Sequence, residues 1–261
     1  MAFAVLIAAW TWLTAPALAL LPGDEPLYLL NAQRWLQGES LYGELFFAHP
    51  PARVWQSALV LWAGAPSGWT KAPAVVATWV AATALLACGV RLGHARAALA
   101  AVALLLFAPV TLRYGPTVLG VAEPVACASL ALWAAAAGRW GLAGGLLGLA
   151  TQWGLHVAVV AVPVAALAAV AGRARAFGVG LTAGLAPLAA ELCWYGAPMW
   201  DQVLGYHVRK VTHMAAQRAP DRAGPFAAEH WAWLALPLVA ALRGPRAHRP
   251  WAWAALGAVA M

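Results

Sequence analysis

Charge is scarce in this sequence. Only 10% of its 261 residues are Asp, Glu, Lys or Arg, and nine of them are acidic. Water-soluble domains carry about 25% charged residues, so this composition excludes an ordinary soluble globule. Cysteine is also rare. Cys88, Cys127 and Cys193 lack the paired spacing of a zinc or redox motif and read as small buried apolar residues. No basic cluster precedes the apolar run 2–21, so that run reads as an uncleaved first helix rather than a signal peptide. There is no glycine-rich phosphate loop, no HExxH, no GxSxG and no nucleic-acid motif. No inverted repeat of the transporter kind is visible.

What the chain does have is apolar surface. It is 64% hydrophobic, with a mean hydropathy of +0.73. The expected fold is all-α: a single polytopic transmembrane helix bundle over 1–261, with about eight to nine spans. Bounded by Arg, Pro or Gly clusters, the spans fall near 2–21, 72–91, 97–112, 121–138, 140–154, 156–171, 176–195 and 230–242, with a last partial one from 250. Pro163 and Pro187 fall inside spans. Most of the sixteen tryptophans fit interfacial belts.

Charge bias orients the bundle. The connections 91–96, 138–141, 172–176 and 243–249 contain Arg91, Arg96, Arg139, Arg173, Arg175, Arg243, Arg246 and Arg249, and no acid. They share one side if segment 50–66 lies in the interface instead of crossing, and the positive-inside rule makes that side cytoplasmic. The net charge of +7 then reports topology and calls for no nucleic-acid partner. All nine acids fall on or close to the opposite, outer face: Asp24, Glu25, Glu39, Glu44, Glu123, Glu191, Asp201, Asp221 and Glu229. The outer regions are a first loop at about 22–71, a short one at 113–122 and a third at 196–229. The first loop contains the amphipathic stretch LYLLNAQRWLQG, with Leu27, Leu30, Trp35 and Leu36 at helical spacing, the pattern of an interfacial helix.

Carboxylate chemistry, if any, belongs on that outer face. Asp24 follows the first span and is placed either to deprotonate a hydroxyl as general base or to cap the helix that follows. Glu123 opens a span before Pro124. It reads as an acid favoured by the helix dipole, or as a second carboxylate that meets Asp24 to orient a sugar or bind a metal. His49, in the rigid His-Pro-Pro turn, could contact phosphate or metal. The run from Tyr206 to Lys210 includes His207, Arg209 and Lys210, which could pair with phosphate or with lipid headgroups. Arg53, Lys71 and Arg113 are further outer cations. Glu191, inside a span, is a functional suspect or the partner of a nearby Arg.

Read together, GDEPLYLLNAQRWLQGESLYGELFFAHPP (23–51), the AEP segment at 122–124, GLAGGLLGLA (141–150) and MWDQVLGYHV (199–208) resemble the polytopic GT-C glycosyltransferases. The likeness is to the lipid-carrier-dependent group that includes protein O-mannosyltransferases and aminoarabinose transferases. The resemblance implies transfer of a sugar, with inversion, from a polyprenyl-phosphate donor to a lipid, protein or glycan acceptor at the extracytoplasmic face of a cell membrane. It implies Asp24 as base, Glu25 completing the acidic pair and Glu123 positioning the substrates. The leaving phosphate needs cations, and His49, Arg53, His207, Arg209 and Lys210 are the candidates. No cofactor is required by the sequence, although a divalent metal would be compatible. Chains of that group are longer, so the expectation is that a C-terminal part lies beyond Met261. Two other readings stand beside this one. A transporter or flippase for lipid-linked sugars should carry polar residues at mid-span and repeated halves. A non-catalytic membrane assembly subunit should tolerate loss of Asp24.

Overall fold

The computed structural model of the chain describes residues 1–19 and 23–210. Among these residues the fold is all-helical; the only β feature is an isolated bridge, Leu41 to Leu45. Helix α1 covers Ala2–Thr14 and continues as a 3-10 turn to Ala19. Next come α2 (Glu25–Leu36), α3 (Ala52–Trp62), α4 (Ala72–Arg91, entered by a 3-10 turn at Ser67–Lys71) and α5 (Ala95–Phe107). They are followed by α6 (Pro109–Tyr114), α7 (Ala122–Ala136), α8 (Trp140–Ala150), α9 (Ala158–Val170) and α10 (Ala174–Trp200), with a π turn at Asp201–Gly205. The expected spans at 230–242 and from 250, and most of the third outer loop, lie outside the described residues.

Among the described residues, three helical stretches are long and apolar enough to cross a membrane: Ala2–Ala19, Ser67–Arg91 and Ala174–Tyr195. The other expected spans within the described residues are shorter helices. Residues 97–112 form two pieces instead of one, because Ala108 precedes Pro109 and takes an extended conformation (φ −60°, ψ 137°). The 13 residues of α5 therefore rise about 20 Å, short of a hydrocarbon core about 30 Å thick. Pro163 falls inside α9, and Pro187 inside α10. Cys88 is buried, but Cys193 is exposed on α10, unlike the buried role expected for it.

Alanine and glycine set the packing. Ala131, Ala134 and Ala135 of α7, Ala143 and Ala150 of α8 and Ala168 of α9 are all buried in one cluster with Leu147, Val164 and Phe177. Small residues let helix backbones approach closely. On α8 and α10 this goes to contact: a Cβ added at Gly180 would overlap the Gly141 carbonyl oxygen, and one at Gly184 the Gly145 oxygen. Gly180→Val should thus destabilise the protein by about 1–3 kcal/mol through forced separation of two backbones. Gly178→Ala, which meets nothing within 4 Å, should be neutral or slightly stabilising. Thermal unfolding of the two variants in one detergent checks the contrast.

A second core lies at the other end of α8 and α10. Tyr28 and Ala32 of α2, Leu41, Tyr42, Leu45 and Phe47 of the following loop, and Val54 and Ala58 of α3 are buried there with Leu188, Met199 and Val203. The chain reaches this core because α10 bends at Gly196, whose φ of 62° and ψ of −145° favour glycine. Beyond the bend, Gln202 accepts a hydrogen bond from Phe47 N (2.8 Å) and donates one to the Tyr42 carbonyl (2.8 Å). Segment 23–51 is thereby clamped between α3 and the end of α10.

Candidate functional site

The acidic pair after the first helix is split. Asp24 is exposed at the N-cap position of α2 and makes no side-chain cap hydrogen bond. Glu25 points inward and has no solvent exposure. Its Oε1 accepts from Val118 N (2.7 Å), and its Oε2 faces Lys71 Nζ at 3.0 Å. Lys71 is equally buried and also donates to the Ala17 carbonyl (2.7 Å). One ion pair therefore joins the end of α1, the start of α2, the entrance to α4 and the loop before α7. Lys71, expected as an outer cation, is thus buried, and Glu25, expected to complete the acidic pair with Asp24, is engaged by Lys71 and Val118 N instead. Asp24 and Glu25 are adjacent on a helix, where neighbours point about 100° apart.

From α2 the site continues as a chain of rings and cations. The Arg53 guanidinium lies 5.9 Å from the Tyr28 ring centroid. Tyr28 meets His49 edge-on at 5.9 Å, and His49 lies 5.4 Å from His207. His207 bonds through Nε2 to the Ala48 carbonyl (2.7 Å) and touches Tyr206, which carries Lys210 over its face at 5.7 Å. A cavity of about 340 Å³ opens beside this chain, lined by His49, Pro50, Gly154, Leu155, Leu204 and His207 among others. Burial pushes the Tyr28 hydroxyl above its ordinary range, Arg53 opposes that shift and Asp24 adds to it. Tyr28 thus lies within electrostatic reach of both Arg53 and Asp24.

Arg53 is also a buried residue rather than a surface cation. Its Nε donates to the Trp153 carbonyl (2.7 Å) and its Nη2 to the Gly120 carbonyl (3.4 Å). Gly120 has φ +66°, and a Cβ there would overlap the guanidinium, with Cδ at 2.7 Å and Cζ at 2.8 Å. Gly120→Ala should therefore cost about 1–3 kcal/mol more than Gly64→Ala. Gly64 shares the positive φ but meets nothing within 4 Å. Unfolding midpoints of the two variants measure the difference.

Glu123 joins the same group from the start of α7. It is buried; Oε1 accepts from Gln56 Nε2 (2.7 Å), and Oε2 has no hydrogen-bond partner among the described residues. Gln56 Oε1 accepts in turn from Trp153 Nε1 (2.8 Å). The turn after α8 thus holds Arg53 through a carbonyl and Glu123 through an indole and an amide. The preceding residue, Gln152, reaches α10. With its amide nitrogen facing Glu191, it donates to both carboxylate oxygens (3.0 and 2.6 Å) and accepts from Leu188 N (2.7 Å). Glu191 therefore pairs with a glutamine, where an arginine was the expected alternative.

Arg209 stands apart from the cavity. It forms an exposed bidentate pair with Asp201 (2.7 and 3.1 Å), which holds the Asp201 carboxyl below its usual range. Arg113 stacks on Tyr114 (5.2 Å). Asp24, His49, Arg53, Glu123 and His207 are brought to one end of the bundle, while Arg209 and Lys210 lie at its rim. Tyr28, Gln56, Trp153 and Gln202 hold these residues in place and carried no signal beyond ordinary polar or aromatic identity. No three His, Cys, Asp or Glu side chains among the described residues cluster as metal ligands. Comparison with family models, curated proteins and solved structures gives no match for this chain.

Proposed function

We propose that this chain is an integral membrane glycosyltransferase of the GT-C kind, working at the extracytoplasmic face of a cell membrane on a polyprenyl-phosphate-linked sugar. Helices α2 and α3 lie in the outer interface, and the arginine-rich turns face the cytoplasm. The observation that carries the reading is the grouping of Asp24, Glu123 and Arg53 with the His49–His207 cavity at one end of the bundle. An exposed carboxylate, a buried carboxylate and a cavity lined by two histidines with Arg53 nearby are the parts that support sugar transfer from a phosphate.

In the reaction, Asp24 takes the proton of the acceptor hydroxyl as that oxygen attacks the anomeric carbon. The bond from that carbon to the carrier phosphate breaks, and its electron pair leaves with the polyprenyl phosphate. His49 and His207 face the cavity and meet the departing phosphate, with the Arg53 charge behind Tyr28 and Lys210 and Arg209 at the rim. Glu123, buried behind Gln56, helps position the substrates indirectly by holding the Gln56 amide against the Trp153 indole. The acceptor is a lipid, a protein or a glycan.

The reading is tested in proteoliposomes with a panel of synthetic polyprenyl-phosphate sugars and short-chain acceptors. The expected result is glycosylated acceptor together with an equal amount of free polyprenyl phosphate. If no member of the panel is turned over, and none protects the protein against thermal unfolding, the proposal fails. Movement of intact donor across the bilayer without sugar release would favour a flippase.

A further inference from the structure

We propose that the cleft between the first halves of α8 and α10 is a binding site for one anionic phospholipid. The inference is independent of the sugar-transfer reading, because the cleft lies at the opposite end of the bundle. It has a volume of about 550 Å³ and is lined by Gly141, Ala176, Val179, Gly180 and Ala183, with Arg173 and Arg175 at its mouth.

Two separate features give the cleft its shape and its charge. Along α10, residues 176, 179, 180 and 183 are spaced i, i+3, i+4 and i+7, so they form one stripe. That stripe is small and apolar, extends about 10 Å along a helix long enough to cross a membrane, and leaves Val179 65% exposed. Among the described residues no helix covers this face, and an acyl chain in a bilayer fits its small, apolar surface. Arg175 precedes Val179 by four residues, so its stem starts on the same side.

The charge is one-sided. Arg91, Arg96, Arg139, Arg173 and Arg175 are all exposed at this end of the bundle, and no acidic residue occurs between Glu123 and Glu191. Arg91 donates to the Ala136 carbonyl (3.1 Å) and Arg139 covers the Trp133 ring (5.8 Å), so two of the five are already engaged nearby. Arg173 and Arg175 form no ion pair with an acidic side chain among the described residues. Two guanidinium forks above an apolar channel match a phosphodiester above an acyl chain. A zwitterionic headgroup would set its own ammonium group against the same arginines, which selects an anionic lipid.

Native mass spectrometry of the whole protein, extracted in mild detergent and titrated with phosphatidylglycerol or phosphatidylcholine, tests the site. One phosphatidylglycerol per chain should survive activation, and phosphatidylcholine should not. Arg173→Gln with Arg175→Gln should weaken retention roughly 30-fold. Ala176→Leu with Ala183→Leu fills the channel while keeping both charges, and should also release the lipid. Arg96→Gln, outside the cleft, should retain it. Equal retention of the two lipids by the unaltered protein would overturn the proposal. So would full retention by the leucine variant, which would mean diffuse attraction to the basic end. If the arginine variant does not accumulate, the leucine variant and the lipid comparison decide alone.

Discussion

Lys71→Met is expected to destabilise the protein by about 3–5 kcal/mol, the usual cost of removing one member of a buried ion pair. The size follows from burial. Lys71 and Glu25 have no exposed side-chain surface and lie 3.0 Å apart, so the methionine variant leaves a carboxylate with neither water nor counter-charge. It also removes the donor to Ala17 and with it one of the ties between the end of α1 and the entrance to α4. The double variant Glu25→Gln with Lys71→Met removes both charges together. It should recover most of the loss, because a buried pair and its neutral replacement often differ little. The amide that replaces the Glu25 carboxylate can keep an acceptor toward Val118 N. Equilibrium unfolding of the single and double variants in the same detergent gives the coupling energy. A single variant no less stable than the double would show that the pair has no such role.

This ion pair also marks where the sequence stops being legible. The helices follow from apolar runs ended by Gly, Pro and Arg, and the start of α2 from Asp24 ahead of Pro26. Segment 50–66 is readable as something other than a span, and α3 has 11 residues with Arg53 and Ser57 buried on its packed face. Glu25 and Lys71 are 46 residues apart in sequence. A lysine at the head of an apolar run looks the same whether it faces headgroups or a buried acid, so Lys71 reads as an outer cation. The break at Ala108 is legible in principle from Pro109, but the apolar run continues across it and hides the signal. Gln56 and Gln152 are invisible for another reason. Uncharged amides give no periodicity and no charge bias, yet each spans two helices here. His49 and His207 stand out separately, by a rigid turn and a basic run. The bend at Gly196, the clamp by Gln202 and the His207 bond to the Ala48 carbonyl bring their ring centroids to 5.4 Å.

On the proposed reaction, Asp24→Asn is expected to lower sugar transfer by about 10²–10⁴-fold, the contribution typical of a positioned general base, with unfolding left nearly unchanged. The stability half of the prediction follows from geometry. Asp24 is exposed, its carboxylate caps no backbone N–H, and asparagine is as acceptable as aspartate at an N-cap. The change should stay within about 0.5 kcal/mol, as for most surface substitutions. Glu25→Gln supplies the opposite pattern: it uncouples Lys71 and should lower the unfolding midpoint clearly, with any loss of transfer following the loss of folded protein. Measuring transfer rate and unfolding midpoint on the same preparations separates the two carboxylates, which differ by a single position in sequence. An Asp24→Asn protein that unfolds like the unaltered chain and transfers sugar at the same rate would remove Asp24 from the reaction. Glu123, whose Oε2 is still without a hydrogen-bond partner among the described residues, would then be the next carboxylate to test as the base.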